Sequence, residues 1–159
     1  MSAVLIYKSI KRGFDLDNYI ITIVGTQTVD DESDTIDVTT SASYTERGGK
    51  KYIRYKEYDP NEDGEYISNT IIIESEKKIV LRKLIEDKRT ELILDRGVRH
   101  QCIYTTPIGY MSIGIYAESI VIDIDKNGGT ITIDYTIDFN TDVQSEHHLE
   151  IALKKKGET

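Results

Sequence analysis

The sequence predicts an all-β fold: a closed, antiparallel up-and-down barrel of about eight to ten strands. Three observations predict it. The 159 residues include 25 isoleucines and 11 tyrosines, residue types that suit a pleated, half-buried surface. Apolar and polar residues alternate in one short run after another, which is the period of a strand with one face covered. The links between runs are short and polar, and they rely on Gly, Asn, Asp and Ser because proline occurs only at Pro60 and Pro107. Hairpin-length links favour a meander. Closing it removes the edges that Ile-rich strands would otherwise offer for aggregation. A two-sheet sandwich, the alternative, needs longer crossing connections than this chain has.

Taken in order, residues 1–18 do not share the alternation and read as an N-terminal extension. Within it Ile10, Phe14 and Leu16 form the apolar edge of a short helix that Gly13 weakens. The barrel spans 19–155 and a C-terminal tail covers 156–159. A first strand runs from Ile20 to Thr28, and Asp30 to Asp34 turn the chain into Ile36–Tyr44. Arg47-Gly48-Gly49 leads into Tyr52–Tyr58, and residues 60–64 form a longer loop. Ser68–Glu74 and Ile79–Leu84 pair about Ser75-Glu76-Lys77; Thr90–Leu94 and Val98–Thr105 follow. Beyond Gly109, Met111, Ile113, Ile115 and Ala117 are odd-numbered, whereas Ile120, Ile122 and Ile124 are even. A strand changes its buried face only by taking in an extra residue, so a bulge is expected at Ala117-Glu118-Ser119. Asn127-Gly128 predicts a type I′ hairpin. Ile131, Ile133, Tyr135, Ile137 and Phe139 then face in, with Asp134 and Asp138 out. The last strand runs from His147 to Lys154.

Composition narrows the function classes. The net charge of −8 argues against nucleic acid, whose binders carry a basic footprint. One cysteine permits no internal disulfide and points to a reducing, cytoplasmic setting. No apolar run approaches the roughly 20 residues that span a bilayer as a helix, so no membrane partner is expected. The G-x-S-x-G, phosphate-loop and H-E-x-x-H motifs are absent, and neither an enzyme nor a cofactor is expected.

Candidate binding residues follow from strand parity. Val98, His100, Cys102 and Tyr104 share a face, and the apolar Val98 and Cys102 mark it as the interior. Ile53, Tyr55 and Glu57 share another face, as do Val80, Arg82 and Leu84. If both are internal, Glu57 and Arg82 pair inside the barrel or orient an anionic group. Glu57, Arg82, His100 and Tyr104 are therefore the expected polar contacts of a small amphipathic or anionic ligand. A Cys102/His100 nucleophile pair is geometrically conceivable, but an inert buried cysteine is the commoner outcome. No metal site is expected: His147 and His148 are strand neighbours and point to opposite faces. The second reading is a non-catalytic interaction or scaffold protein, a homodimer acting through Tyr52, Tyr58, Tyr66 and Tyr116.

Gly97-Val98-Arg99-His100 followed by Tyr104-Thr105-Thr106-Pro107-Ile108-Gly109 resembles the signature of the DUF1934 (YwiB-like) family of bacterial proteins of unknown function. Tyr55-Lys56-Glu57, Asn69 to Glu74, Arg82 and the Gly128-Gly129…Tyr135 hairpin fall at matching places. The resemblance covers about residues 19 to 155 and implies a calycin-like barrel. Leu84 stands where family members often have glycine, and Ile108 where they often have an aromatic residue. The lipocalin G-x-W motif is absent, since the chain has no tryptophan.

Overall fold

The computed structural model describes residues 17–58, 66–106, 109–140 and 142–157, which contain strands and turns but no helix. The ten strands are β1 (Tyr19–Val29), β2 (Glu32–Arg47), β3 (Lys50–Tyr58), β4 (Tyr66–Ser75), β5 (Lys78–Ile85), β6 (Lys88–Asp95), β7 (Arg99–Thr106), β8 (Gly109–Asp125), β9 (Gly128–Phe139) and β10 (Asp142–Lys155). The helix expected near Ile10–Leu16, the loop at 60–64 and the Pro107 turn lie outside the described residues.

The strands form one antiparallel sheet in the order β6-β5-β4-β3-β2-β1-β10-β9-β8-β7. The first and last strands are paired from Tyr19 with Lys155 through Thr28 with Glu146, so the sheet closes where the chain ends meet. The break lies mid-chain. β6 and β7 meet at a corner, where Asp95 and Val98 form an isolated bridge. There Gly97 donates its N–H to the Ala117 carbonyl at 2.9 Å, and Arg96 to that of Lys77 at 2.9 Å. Gly97 has φ of 80°, a conformation that glycine adopts without strain. The result is an all-β, nearly closed up-and-down barrel with a seam between β6 and β7.

Inside, the two ends differ. Towards the turns at Gly48-Gly49, Glu76-Lys77 and Lys126-Asn127, isoleucines fill the barrel: Ile21, Ile53, Ile79 and Ile131 are inaccessible to solvent, as is Leu94. Each side chain of this size contributes roughly 1.5–3 kcal/mol when fully buried. Tyr19 closes this end by donating its hydroxyl to the Lys126 carbonyl at 2.7 Å. The described residues leave the opposite end, where β1 turns into β2 and β5 into β6, open.

Bulges set the register. The one expected in β8 is present, with pairing to β9 shifting between Ala117 and Ser119; it carries Ile120 and Ile124 into the core. A second bulge, between Ile73 and Ser75, corrects the reading of β5. A regular hairpin with Ser75 opposite Lys78 would set Val80 opposite Ile73 and turn Arg82 inward. The extra residue, Glu74, instead sets Ile79 opposite Ile73, so Leu81 and Lys83 face in and Arg82 faces out.

Two turns also differ from expectation. Only Asp30 and Asp31 turn the chain after β1, both with positive φ, and Glu32 already belongs to β2. The hairpin at Asn127-Gly128 forms, but its central residues are Lys126 and Asn127. The positive φ values fall on Gly128 (104°) and Gly129 (142°) instead. A side chain on Gly129 would overlap the Asp123 carbonyl.

Candidate functional site: the open end of the barrel

The open half of the interior holds a cavity of about 230 Å³. Its apolar wall includes Ile23, Val38, Leu81, Leu92, Leu149 and Ile151, all inward-facing by register. Ile36 and Tyr104 line it too, yet they are 63% and 38% exposed, which places the mouth at their level. Gly25 lies between Ile36 and Leu149, its partners in β2 and β10. A Cβ there would come within 3.3 Å of both side chains, so the glycine lets them close in around the opening.

One side of the cavity is polar because of cross-strand registry. Tyr55, Asn69, Lys83 and Thr90 are successive partners across β3, β4, β5 and β6, and all four line the cavity together with Glu57. Asn69 is buried and donates its amide N–H to Glu57 Oε1 at 2.7 Å. Among the described residues Lys83 has no ion-pair partner. Burial, with Glu57 next in importance, holds the Tyr55 phenol well above its ordinary range. Burial and then the nearby Tyr104 push Tyr135 up to about 12. Both hydroxyls are therefore neutral hydrogen-bonding groups at physiological pH.

The four residues expected from sequence fall in different places. Glu57 and Tyr104 meet in the cavity. Arg82 borders it, but its guanidinium lies on the outer face, where Nε donates to Glu91 at 2.6 Å, so it makes no pair with Glu57. His100 faces inward but sits at the corner, where Nε2 meets Asp95 Oδ2 at 3.0 Å. That bond, aided by Lys77 and Lys78, holds the Asp95 carboxyl below its usual range even though burial opposes it. Val98, used to orient this strand, is exposed, whereas Cys102 is buried in the core. The sequence reading missed Lys83, Asn69 and Tyr135. Tyr135 was legible as inward, but the other two were hidden because Ile71–Ile73 and Ile79–Leu81 make both faces of β4 and β5 apolar.

His147 and His148 point to opposite faces, as strand geometry requires. His147 stacks on the Tyr135 ring (centroids 4.7 Å apart) and its Nε2 is 2.8 Å from the Ser145 hydroxyl. His148 pairs outside with Asp134 at 2.6 Å and Glu150 at 3.3 Å. An outer depression of about 320 Å³ runs beside it, edged by Thr26, Glu118, Asp134 and Glu146. It lacks the apolar wall that a small-molecule site normally has. No group of three or more His, Cys, Asp or Glu among the described residues is placed to hold a metal ion. No described helix is long and apolar enough to cross a membrane, which says nothing about strands.

On the outer face Arg99 crosses over Gly114 to Asp138. Its Nε donates to Oδ2 at 2.9 Å and a terminal nitrogen to Oδ1 at 2.7 Å. Asp138 points outward as expected, yet it is 5% exposed because the guanidinium covers it. The Arg99 of the Gly97–His100 signature thus ties β7 to β9.

Fold and cavity together define an up-and-down β-barrel with an internal, partly polar chamber. The chain belongs to the family described as "Domain of unknown function (DUF1934)", whose model matches residues 21–151. A solved structure, the ywiB protein from Bacillus subtilis, is similar with a TM-score of 0.74 and 18% identity, covering 86% of this chain and 90% of that one. At that identity the likeness is one of fold. Among curated proteins none matches.

Proposed function

We propose that the protein binds a small amphipathic molecule in the open end of its barrel. The observation that carries this reading is the chamber itself: apolar on one side, with Tyr55, Asn69, Lys83 and Glu57 gathered on the other. An eight-strand barrel is only just wide enough for its own side chains to fill, and the two further strands here leave room. Pockets of this kind bury the apolar part of a ligand and orient it through a few placed polar groups. Native mass spectrometry of protein purified from its own host tests the proposal. A co-purifying small molecule that is lost in Leu149→Trp, which fills the chamber, supports it. Unchanged retention in that variant contradicts it.

A second reading rests on the outer face of β7 and β8, where Ile103 and Tyr110 are exposed, and on exposed Tyr66 and Tyr116. Apolar and tyrosine-rich surface suits a protein interface, here that of a homodimer acting as a scaffold. Light scattering across a hundredfold concentration range would show dimer formation, and Tyr110→Asp would abolish it. A monomer throughout ends this reading.

A further inference from the structure

We infer that the ligand is a zwitterion: an α-amino acid with an apolar side chain about the size of leucine. This rests on the chamber being the binding site and concerns what the site selects. Among the described residues the chamber wall carries one carboxylate, Glu57, and one ammonium, Lys83, while the Arg82 guanidinium at its border is paired with Glu91 on the outer face. The two are not bonded to each other. Lys83 pairs across the sheet with Asn69, and Asn69 with Tyr55, while Glu57 lies two residues further along β3. Two strand spacings of about 4.8 Å and a two-residue step of about 6.7 Å put the two Cα atoms about 12 Å apart. Asn69 fixes the carboxylate through its 2.7 Å bond to Oε1, so the two charges stand apart with the amide between them.

This arrangement discriminates by charge. A monoanion seated on Lys83 would face the Glu57 carboxylate, and a monocation on Glu57 would face Lys83. Each would carry an unfavourable like-charge interaction in a chamber where water screens less than in bulk. A head group bearing both signs satisfies both residues, with its carboxylate on Lys83 and its ammonium on Glu57 Oε2. Thr90 and the Tyr55 and Tyr104 hydroxyls stand in the same chamber as further hydrogen-bonding groups. Size is also bounded. A dry cavity of about 150 Å³ takes up benzene, which has six heavy atoms. On that packing 230 Å³ holds roughly nine, the number in leucine. Its isobutyl group would lie against Leu92, Leu149 and Ile151.

The test compares three probes with similar apolar parts by calorimetric titration of the full chain: L-leucine, 4-methylpentanoate and 3-methylbutylamine. Leucine is expected to bind at least tenfold more tightly than either single-charge probe. Lys83→Met should reduce leucine affinity about tenfold and tighten binding of the amine, and Glu57→Gln should reduce leucine affinity likewise and tighten binding of the carboxylate. Equal or tighter binding of 4-methylpentanoate overturns the zwitterion assignment while leaving the chamber a binding site. The assignment also fails if none of the three binds while native mass spectrometry finds a different molecule that Leu149→Trp expels. Retention in Leu149→Trp overturns the chamber reading itself. The probe comparison uses the unaltered protein, so its outcome does not depend on whether a variant folds.

Discussion

His147 and His148 are adjacent on β10 and titrate in opposite directions. Burial against Tyr135 lowers the pKa of His147, because desolvation disfavours the imidazolium. The bond to Asp134, with help from Glu150, raises that of His148. The signs for stability follow by linkage. His148, raised when folded, contributes stability that is complete below its unfolded value of about 6.5 and is lost as pH rises through the folded pKa. His147, lowered when folded, takes up its proton more readily in the unfolded chain, so it removes stability as pH falls below about 6.5. Two-dimensional NMR titration should find His148 above 6.5 and His147 below it. The destabilisation caused by His148→Ala should be larger at pH 5.5 than at pH 8.5, and a reversed order would contradict the geometry. Asp95, lowered by His100, contributes stability present above about 3.8 and lost as pH falls through its folded pKa. The residue scale also gives Gly114 a role. A Cβ there would collide with the Arg99 guanidinium, so Gly114→Ala should lift it from Asp138 and cost the buried carboxylate its guanidinium bonds. Thermal unfolding should show a lower midpoint for Gly114→Ala in the natural background and almost no effect of the same change beside Arg99→Ala. Equal effects in both backgrounds would dissociate the glycine from the ion pair.

At the scale of elements, bulges decide which side chains reach the chamber. Glu118 is the extra residue of β8 and is exposed. Replacing it by alanine should therefore change stability by no more than about 0.5 kcal/mol. Deleting it should abolish cooperative unfolding, because Ile120 and Ile124 would turn out of the core. Calorimetry distinguishes the two. This bulge was legible because the apolar parity in 111–124 switches at Ala117-Glu118-Ser119, with only Tyr116 and Val121 breaking the polar or small character of the other face. The bulge at Glu74 was not legible: Ile71, Ile72 and Ile73 precede it, and Ile79, Val80 and Leu81 follow. Both faces of these strands are apolar, so alternation gives no parity to read. Alternation with Val80 and Leu84 alone therefore points Arg82 inward and gives no sign of Lys83. His100 was placed on the correct face, yet parity does not say how far along the barrel a residue sits, and it lies at the corner with Asp95. The meander, the strand count and the inward Glu57 and Tyr104 were all recoverable from alternation and turn chemistry.

Across the whole molecule, the filled half of the barrel provides stability and the open half provides the chamber. Ile131→Ala, in the filled half, should cost about 2–5 kcal/mol in denaturant unfolding. Amide exchange should be slowest along the β1–β10 ladder, which joins the chain ends. It should be fastest along the facing edges of β6 and β7, which pair only at their corner. The same asymmetry allows the central claim to be tested directly by methyl NMR of Ile- and Leu-labelled protein titrated with L-leucine, 4-methylpentanoate and 3-methylbutylamine. Binding of any one of them should shift the methyls of Ile23, Leu81, Leu92, Leu149 and Ile151 and leave those of Ile53, Ile79 and Leu94 in place. Binding that shifts Ile103 on the outer face, or Ile53, Ile79 and Leu94 in the filled half, while the chamber methyls stay in place would contradict it.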